Sequence, residues 1–423
     1  MAKKKKNAGR ANSHLGDPPP DTADGDDAQP NPIPDASYCY WGFVHSAKES
    51  LSCGRTFYFD PRGDLILSVG EPENEVEDFV VCSRTVARGS KVFNTMLFGG
   101  FAESTASAAA SDGSWTVKLP DDQTAPFFVI LSILHGNYEL VPRTLEEKEL
   151  YEVLVVTEKY DMTHILRPWA QRWFRRLTVN GSPQFEDKQR LMWIAWELGH
   201  EGMFCKIAKD LMLSSCIDNA GQLLDGDGVP LSSNPCHEPP GILDIIAIKR
   251  SELFVSIEGC LRSVIEEKTG RCAISIYSRS YGSNVQLSSA QCDDLFVGSF
   301  IRRIRQIGVD EIAFLSNTRL PHRGNIKDVA ETVRNVAVDR EVYGHSHCDP
   351  WEKLQKDLES LIENVPAPVT QIHLDHLRAQ AIRTGFGQTW AMEKLPHSVP
   401  QTGCNNIGGK KQRTPANVTH ETE

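Results

Sequence analysis

Between residues 60 and 160 the chain alternates short runs of period two with longer runs of helical period. Asp60-Pro61-Arg62-Gly63 is a turn signal leading into an alternating strand, Asp64 to Val69, and Phe79 to Cys82 forms a second short strand. The polar "GEPENEVED" between them fits a hairpin loop. From Arg84 to Phe98, Val86, Phe93, Met96 and Leu97 fall on one helical face, which predicts a single helix. After an Ala/Ser-rich loop, Ser104 to Ser114, the segment Trp115 to Leu119 alternates as a strand. Asp122 as N-cap and Pro126 in the first turn predict a helix through His135. That helix is apolar nearly all round, so it is expected at the buried centre. Thr144 and Glu147 have capping-box spacing and open a helix to about Tyr160, striped by Leu150, Val153, Leu154 and Thr157.

The pattern then stays helical. Leu166, Trp169, Trp173 and Leu177 recur every three or four residues, and Ser182-Pro183 marks a helix carrying Leu191, Ile194 and Leu198. Phe204, Ile207 and Leu211 continue it, until the Gly-, Pro- and Asp-rich stretch Gly221 to Gly241 reads as a loop or linker. Beyond it lie an expected helix from Ile242 to Glu267, a strand at Ala273 to Tyr277, and helices near Asp293–Ile307, Ile326–Val336 and Pro350–Ile362. Residues 1–36 and 396–423 lack hydrophobic period and are expected to be disordered. The division is therefore an α+β domain over 59–162, a helical extension over 163–220, and a mostly α-helical C-terminal domain over 241–365.

Composition narrows the function classes. With 423 residues there is enough chain for two or three domains with cores, and 40% hydrophobic with 24% charged residues is ordinary for a soluble protein. A net charge of −11 argues against a dedicated nucleic-acid surface. The basic runs Gln171 to Arg176 and Arg302 to Gln306 read as solvated faces sooner than as nucleic-acid contacts. No apolar run approaches the ~20 residues of a membrane-spanning helix. Lys3 to Lys6 read either as a nuclear address or as a solvated tail, with no apolar segment behind them to make a secretory signal. Eleven scattered cysteines without CxxC spacing are expected as reduced thiols in the nucleus or cytoplasm.

Candidate chemistry is sparse. No GxSxG, HExxH, P-loop or dinucleotide-binding fingerprint occurs, so no enzyme activity is expected. His345, His347 and Cys348 form the one cluster of metal-ligand type, and with Cys272 and Cys292 they would supply a zinc site. The competing reading is that these cysteines are simply buried, because the spacing lacks a tight knuckle. Apart from this possible zinc, no cofactor is expected.

"GDLILSVG" (63–70), "CSRTVARGSKVF" (82–93), "GGFAES" (99–104), "VKLPDD" (117–122) and "LHGNYELVP" (134–142) together resemble the BTB/POZ domain, in the divergent form found in fungal proteins. "LTVNGS" through "WIAWELGHEGMF" (177–204) and "CDDLFVGSFIRRIRQIG" (292–308) resemble the helical parts that follow it. The likeness spans residues 59–215 well and 240–365 loosely. Two departures stand out: Cys82-Ser83 replaces the histidine many such domains carry, and the Ala/Ser insertion before Trp115 is unusual. The resemblance implies a helical cluster flanked by a short sheet, protein partners and homodimerisation. On the dimer reading Val86, Phe93 and Leu97 would form the contact; on the alternative they face their own core. The resemblance further implies that Phe101-Ala102-Glu103 matches the apolar-x-Glu element by which adaptors of cullin-RING ubiquitin ligases touch the cullin. A nuclear regulatory protein that uses the domain only to oligomerise is the competing expectation.

Overall fold

A computed structural model describes residues 52–53, 56–71, 76–104, 114–179, 187–266, 289–306, 323–335 and 351–386. The expected strand at 273–277 and both expected disordered tails lie outside these residues. The described fold is α+β, mostly helical, with one small sheet near its N-terminal end.

Five strands make that sheet: β1 (Ser52–Cys53), β2 (Thr56–Tyr58), β3 (Leu65–Val69), β4 (Glu77–Val81) and β5 (Thr116–Leu119), in the order β1-β2-β4-β3-β5. The central pair β3 and β4 is antiparallel, in register from Leu65 opposite Val81 to Val69 opposite Glu77. β5 lies parallel to β3, with Leu67 opposite Val117. A parallel neighbour requires a crossover, supplied by α1 (Ser83–Gly89) and α2 (Lys91–Phe98). Strict alternation places Leu65, Leu67 and Val69 inward and leaves Ile66 and Ser68 half-buried, as the period-two pattern predicts.

The single helix expected from Arg84 to Phe98 is in fact two, broken at Ser90, whose backbone is extended. A serine there does what a helical residue would not. Its Oγ accepts from the Phe93 amide at 2.9 Å and caps α2, while its hydroxyl donates to the Tyr160 carbonyl. Most of the stripe faces inward, with Met96 half-buried. Val86, Phe93 and Leu97 are fully buried within the chain, so the dimer contact expected of them is corrected: they are core residues. Phe93 stacks on Tyr160 at 4.5 Å and meets Phe127 edge-on.

Phe127 belongs to α3 (Thr124–His135), the expected apolar centre, in which Phe127 through Ser132 are all buried. Its N-cap is Gln123, not Asp122. Asp122 instead accepts from the Tyr160 hydroxyl at 2.6 Å and from Lys159 Nζ at 2.8 Å, fastening the end of α4 (Glu147–Lys159). The capping box of α4 is formed by Glu146 and Glu149, two residues beyond the expected Thr144 and Glu147.

A 3-10 turn (Thr163–Leu166) leads into α5 (Arg167–Val179), α6 (Lys188–Leu198) and α7 (Glu201–Ser214). Asp187 caps α6. A two-stranded sheet pairs β6 (Cys216–Ile217), at the end of the helical extension, with β7 (Leu223–Leu224), inside the expected linker. There follow α8 (Ile242–Glu266), α9 (Ser289–Gln306), α10 (Ile326–Asn335) and α11 (Trp351–Asn364), each close to its expected range. A further helix, α12 (Gln371–Thr384), lies beyond the expected boundary at 365. It packs on α6 and on the 3-10 turn, far upstream in sequence. Gly199, at the end of α6 with φ of 75°, makes this approach possible, because a Cβ there would sit 2.1 Å from the Ala381 amide nitrogen. Thr384 Oγ1 donates to the Leu198 carbonyl at 2.7 Å, and Gln171 Nε2 donates to the Gly385 carbonyl.

Candidate functional site

The turn after α2 is built from Gly99, Gly100 and Phe101 to Ser104. Gly100 has a φ of 83°, and a Cβ on Gly99 would sit 2.3 Å from the Thr95 carbonyl oxygen, so both positions favour glycine. The turn is fastened twice: the Ser104 amide donates to the Phe101 carbonyl, and the Trp115 indole N–H donates to the Glu103 carbonyl at 2.8 Å. Fixing the Glu103 backbone to the foot of β5 leaves its side chain exposed. Phe101 is 54% exposed, and Phe98 is exposed with its ring edge-on to Trp115 at 6.0 Å. The Arg84 guanidinium lies 5.9 Å from the centre of the Phe98 ring. Two exposed phenylalanines with a cation and a carboxylate beside them offer an apolar anchor and charges of both signs to a protein partner.

Of the residues expected to bind partners, only Phe101 and Glu103 reach this face; Val86, Phe93 and Leu97 lie beneath it in the core. Of the residues expected to hold zinc, Cys272, His345, His347 and Cys348 lie outside the described residues. Cys292 is fully buried on α9. Among the described residues no group of three or more His, Cys, Asp or Glu is placed to hold a metal ion. The two basic runs divide on inspection. Arg172 and Arg176 are exposed on α5, whereas Arg303 is buried against the Trp351 ring. No described helix is long and apolar enough to cross a membrane.

Sequence reasoning missed a cavity of about 340 Å³ between the end of α4, the 3-10 turn, α6, α12 and the segment around Glu238. Its floor holds Glu197, 1% exposed, which accepts from Gln380 Nε2 at 3.0 Å and from Thr163 Oγ1 at 3.5 Å. Burial, reinforced by the nearby Glu158 carboxylate, pushes the Glu197 pKa up to about 7, against the pull of Arg383. His376 lies flat on Trp196 at 3.7 Å, and burial with the Arg383 charge holds its pKa below the usual imidazole value. The lining residues come from four separate stretches of chain, so no local motif announces them. The single signal available was Glu197 itself, a carboxylate inside the apolar run from Leu191 to Leu198.

Neither a model of a known protein family nor a curated protein sequence matches the chain.

Proposed function

We propose that this chain is a protein-interaction protein built on a BTB/POZ-type domain over residues 59–162, without a catalytic step of its own. Phe101 and Glu103 dock a protein partner, and the helical region beyond presents a second one. The expected first partner is the cullin scaffold of a ubiquitin ligase, with the chain as substrate adaptor. The observation that carries this reading is the pairing of an exposed Phe101 with an exposed Glu103 on a turn whose backbone is tied to Trp115. A large exposed aromatic side chain on a well-fixed loop is unusual for a surface with no partner. The order of strands and helices from β3 to α4 supports the same reading, as the resemblance implies it. Homodimerisation belongs to the proposal through the resemblance alone, because the stripe expected to provide it is buried.

Pulldown of a purified cullin by the full chain, compared with the Phe101→Ala, Glu103→Ala double variant, tests the docking face. Loss of about tenfold or more in affinity is expected, equivalent to ~1.4 kcal/mol. Equal binding by both proteins, or none by either, sinks the adaptor reading. The molecular mass in solution, measured on the same samples, tests the dimer.

A further inference from the structure

The cavity beneath α12 has the attributes of a binding site, and it lies apart from the docking face. Two of its side chains are more than nine-tenths buried yet keep a polar atom with no protein partner: the indole N–H of Trp193, 6% exposed, and Oε1 of Gln380, 5% exposed. His376, also in its wall, leaves Nε2 unpartnered. A buried polar atom without a partner costs about 1–3 kcal/mol, so three around one cavity need an explanation. The amide of Gln380 is held in place by its bond to Glu197, which fixes where its unused oxygen lies.

The charge of the walls indicates what fills the space. Arg383 is committed to Asp161, with which it forms an ion pair. Glu158 and Glu238 are exposed and line the cavity, and Glu197 lies in its interior; none of the three has a cationic side chain in contact among the described residues. Carboxylates on wall and floor, with one cation already paired, attract a positive ligand and disfavour an anion. The unpartnered Gln380 oxygen adds an acceptor for an N–H group. The Trp193 N–H adds a donor for a ligand oxygen, and the indoles of Trp193 and Trp196 give apolar wall. About 340 Å³ accommodates a molecule the size of an amino acid.

We propose that this cavity binds a cationic nitrogen head, a guanidinium or ammonium on an aliphatic stem, together with an adjacent oxygen acceptor. Free basic amino acids carry this chemistry, and so do arginine and lysine side chains within a peptide. Neither the cullin reading nor the docking face enters the argument, so the two proposals stand or fall separately.

Isothermal titration of the full chain at about pH 8, where the Glu197 carboxyl is ionised, provides the test. The probes are L-arginine, L-lysine, the acetylated amide of arginine, and L-citrulline, the neutral near-isostere of arginine. Saturable binding of at least one cationic probe is expected, with citrulline about tenfold weaker or more. Tighter binding of free arginine assigns the site to amino acids, and tighter binding of the acetylated amide to peptide side chains; either supports the proposal. Glu238→Gln, an isosteric change at an exposed position that keeps an oxygen for the Leu243 amide, is expected to weaken binding severalfold, and Gln380→Ala about tenfold or more. Equal binding of citrulline and arginine overturns the proposal, as does unchanged binding by both variants. Absence of binding by any cationic probe up to about 10 mM overturns it too, leaving the cavity to ordered water.

Discussion

The hydroxyl of Ser90 donates to the backbone carbonyl of Tyr160 at 2.5 Å, joining the break between α1 and α2 to the end of α4. The same oxygen caps α2 through the Phe93 amide. One side chain thus ends one helix, starts the next and places both against α4.

Ser90→Ala should therefore cost more than an ordinary helix cap. It leaves the Phe93 amide and the Tyr160 carbonyl without their buried partner. A loss of about 2–4 kcal/mol is expected, from a cap worth ~1 and an unmet buried acceptor worth ~1–3. Urea unfolding of the full chain measures it, and a loss below about 0.5 kcal/mol would contradict the dual role.

The inward turn of the α1–α2 stripe predicts an order of stabilities. Phe93→Ala empties a core position and should cost about 3–5 kcal/mol. Phe101→Ala, at a half-exposed position, should cost less than about 1 kcal/mol of stability. Thermal unfolding of the two variants side by side decides this. The reverse order would mean that the stripe faces a partner after all.

Glu197 gives stability a particular pH dependence. An acid whose folded pKa is raised keeps its proton longer in the folded state. Its penalty is absent below the unfolded value of 4.5, grows as pH rises, and is complete above about 7. A change from 4.5 to about 7 corresponds to roughly 3 kcal/mol of stability lost across that window. His376, facing the same cavity, acts the opposite way: its lowered pKa favours the folded state as pH rises through the ordinary imidazole range. Glu158, Asp161, Glu238 and Arg383 complete the charged groups of the cavity. The difference between wild type and Glu197→Gln isolates the carboxyl. The variant should match wild type near pH 4 and exceed it by up to about 3 kcal/mol at pH 8. A difference curve that is flat with pH would show that Glu197 titrates like an exposed carboxylate.

Gly199→Ala tests the approach of α12 to α6. The added methyl meets the Ala381 backbone and forces an alanine into a left-handed conformation, so α12 must shift. Amide hydrogen exchange in residues 371–384 should accelerate by about tenfold or more, with the sheet near β3 unaffected. Unchanged exchange there would mean that the helix is held without the glycine.

Elements whose cause is local were legible in the sequence. The alternation of Leu65, Leu67 and Val69 and the all-apolar face of α3 have period and content that mean one thing. What escaped depends on partners distant in sequence. Ser90 breaks a helix because Tyr160 waits for its hydroxyl, and Asp122 leaves the N-cap because Tyr160 and Lys159 claim its carboxylate. Helix α12 was passed over because Ile372 and Ile382, both largely exposed, blur its stripe, while its buried contacts include the polar Gln380 and Thr384. The turn that carries Phe101 and Glu103 was read from a motif that is contiguous. The cavity was not, since Glu158, Glu197, Glu238 and Gln380 meet only after the chain has closed.

The ion pair of Arg383 with Asp161 spans 222 positions of the chain. During synthesis the N-terminal sheet and its helices can assemble while α12 does not yet exist. In that interval Gly199 has no helix against it, Glu197 lacks the Gln380 amide, and the flank of α6 lies open to water and to other proteins. Helix α12 therefore sets the time at which this flank of α6 is covered. A truncation just after α11 would leave that flank of α6 without the contacts that α12 supplies.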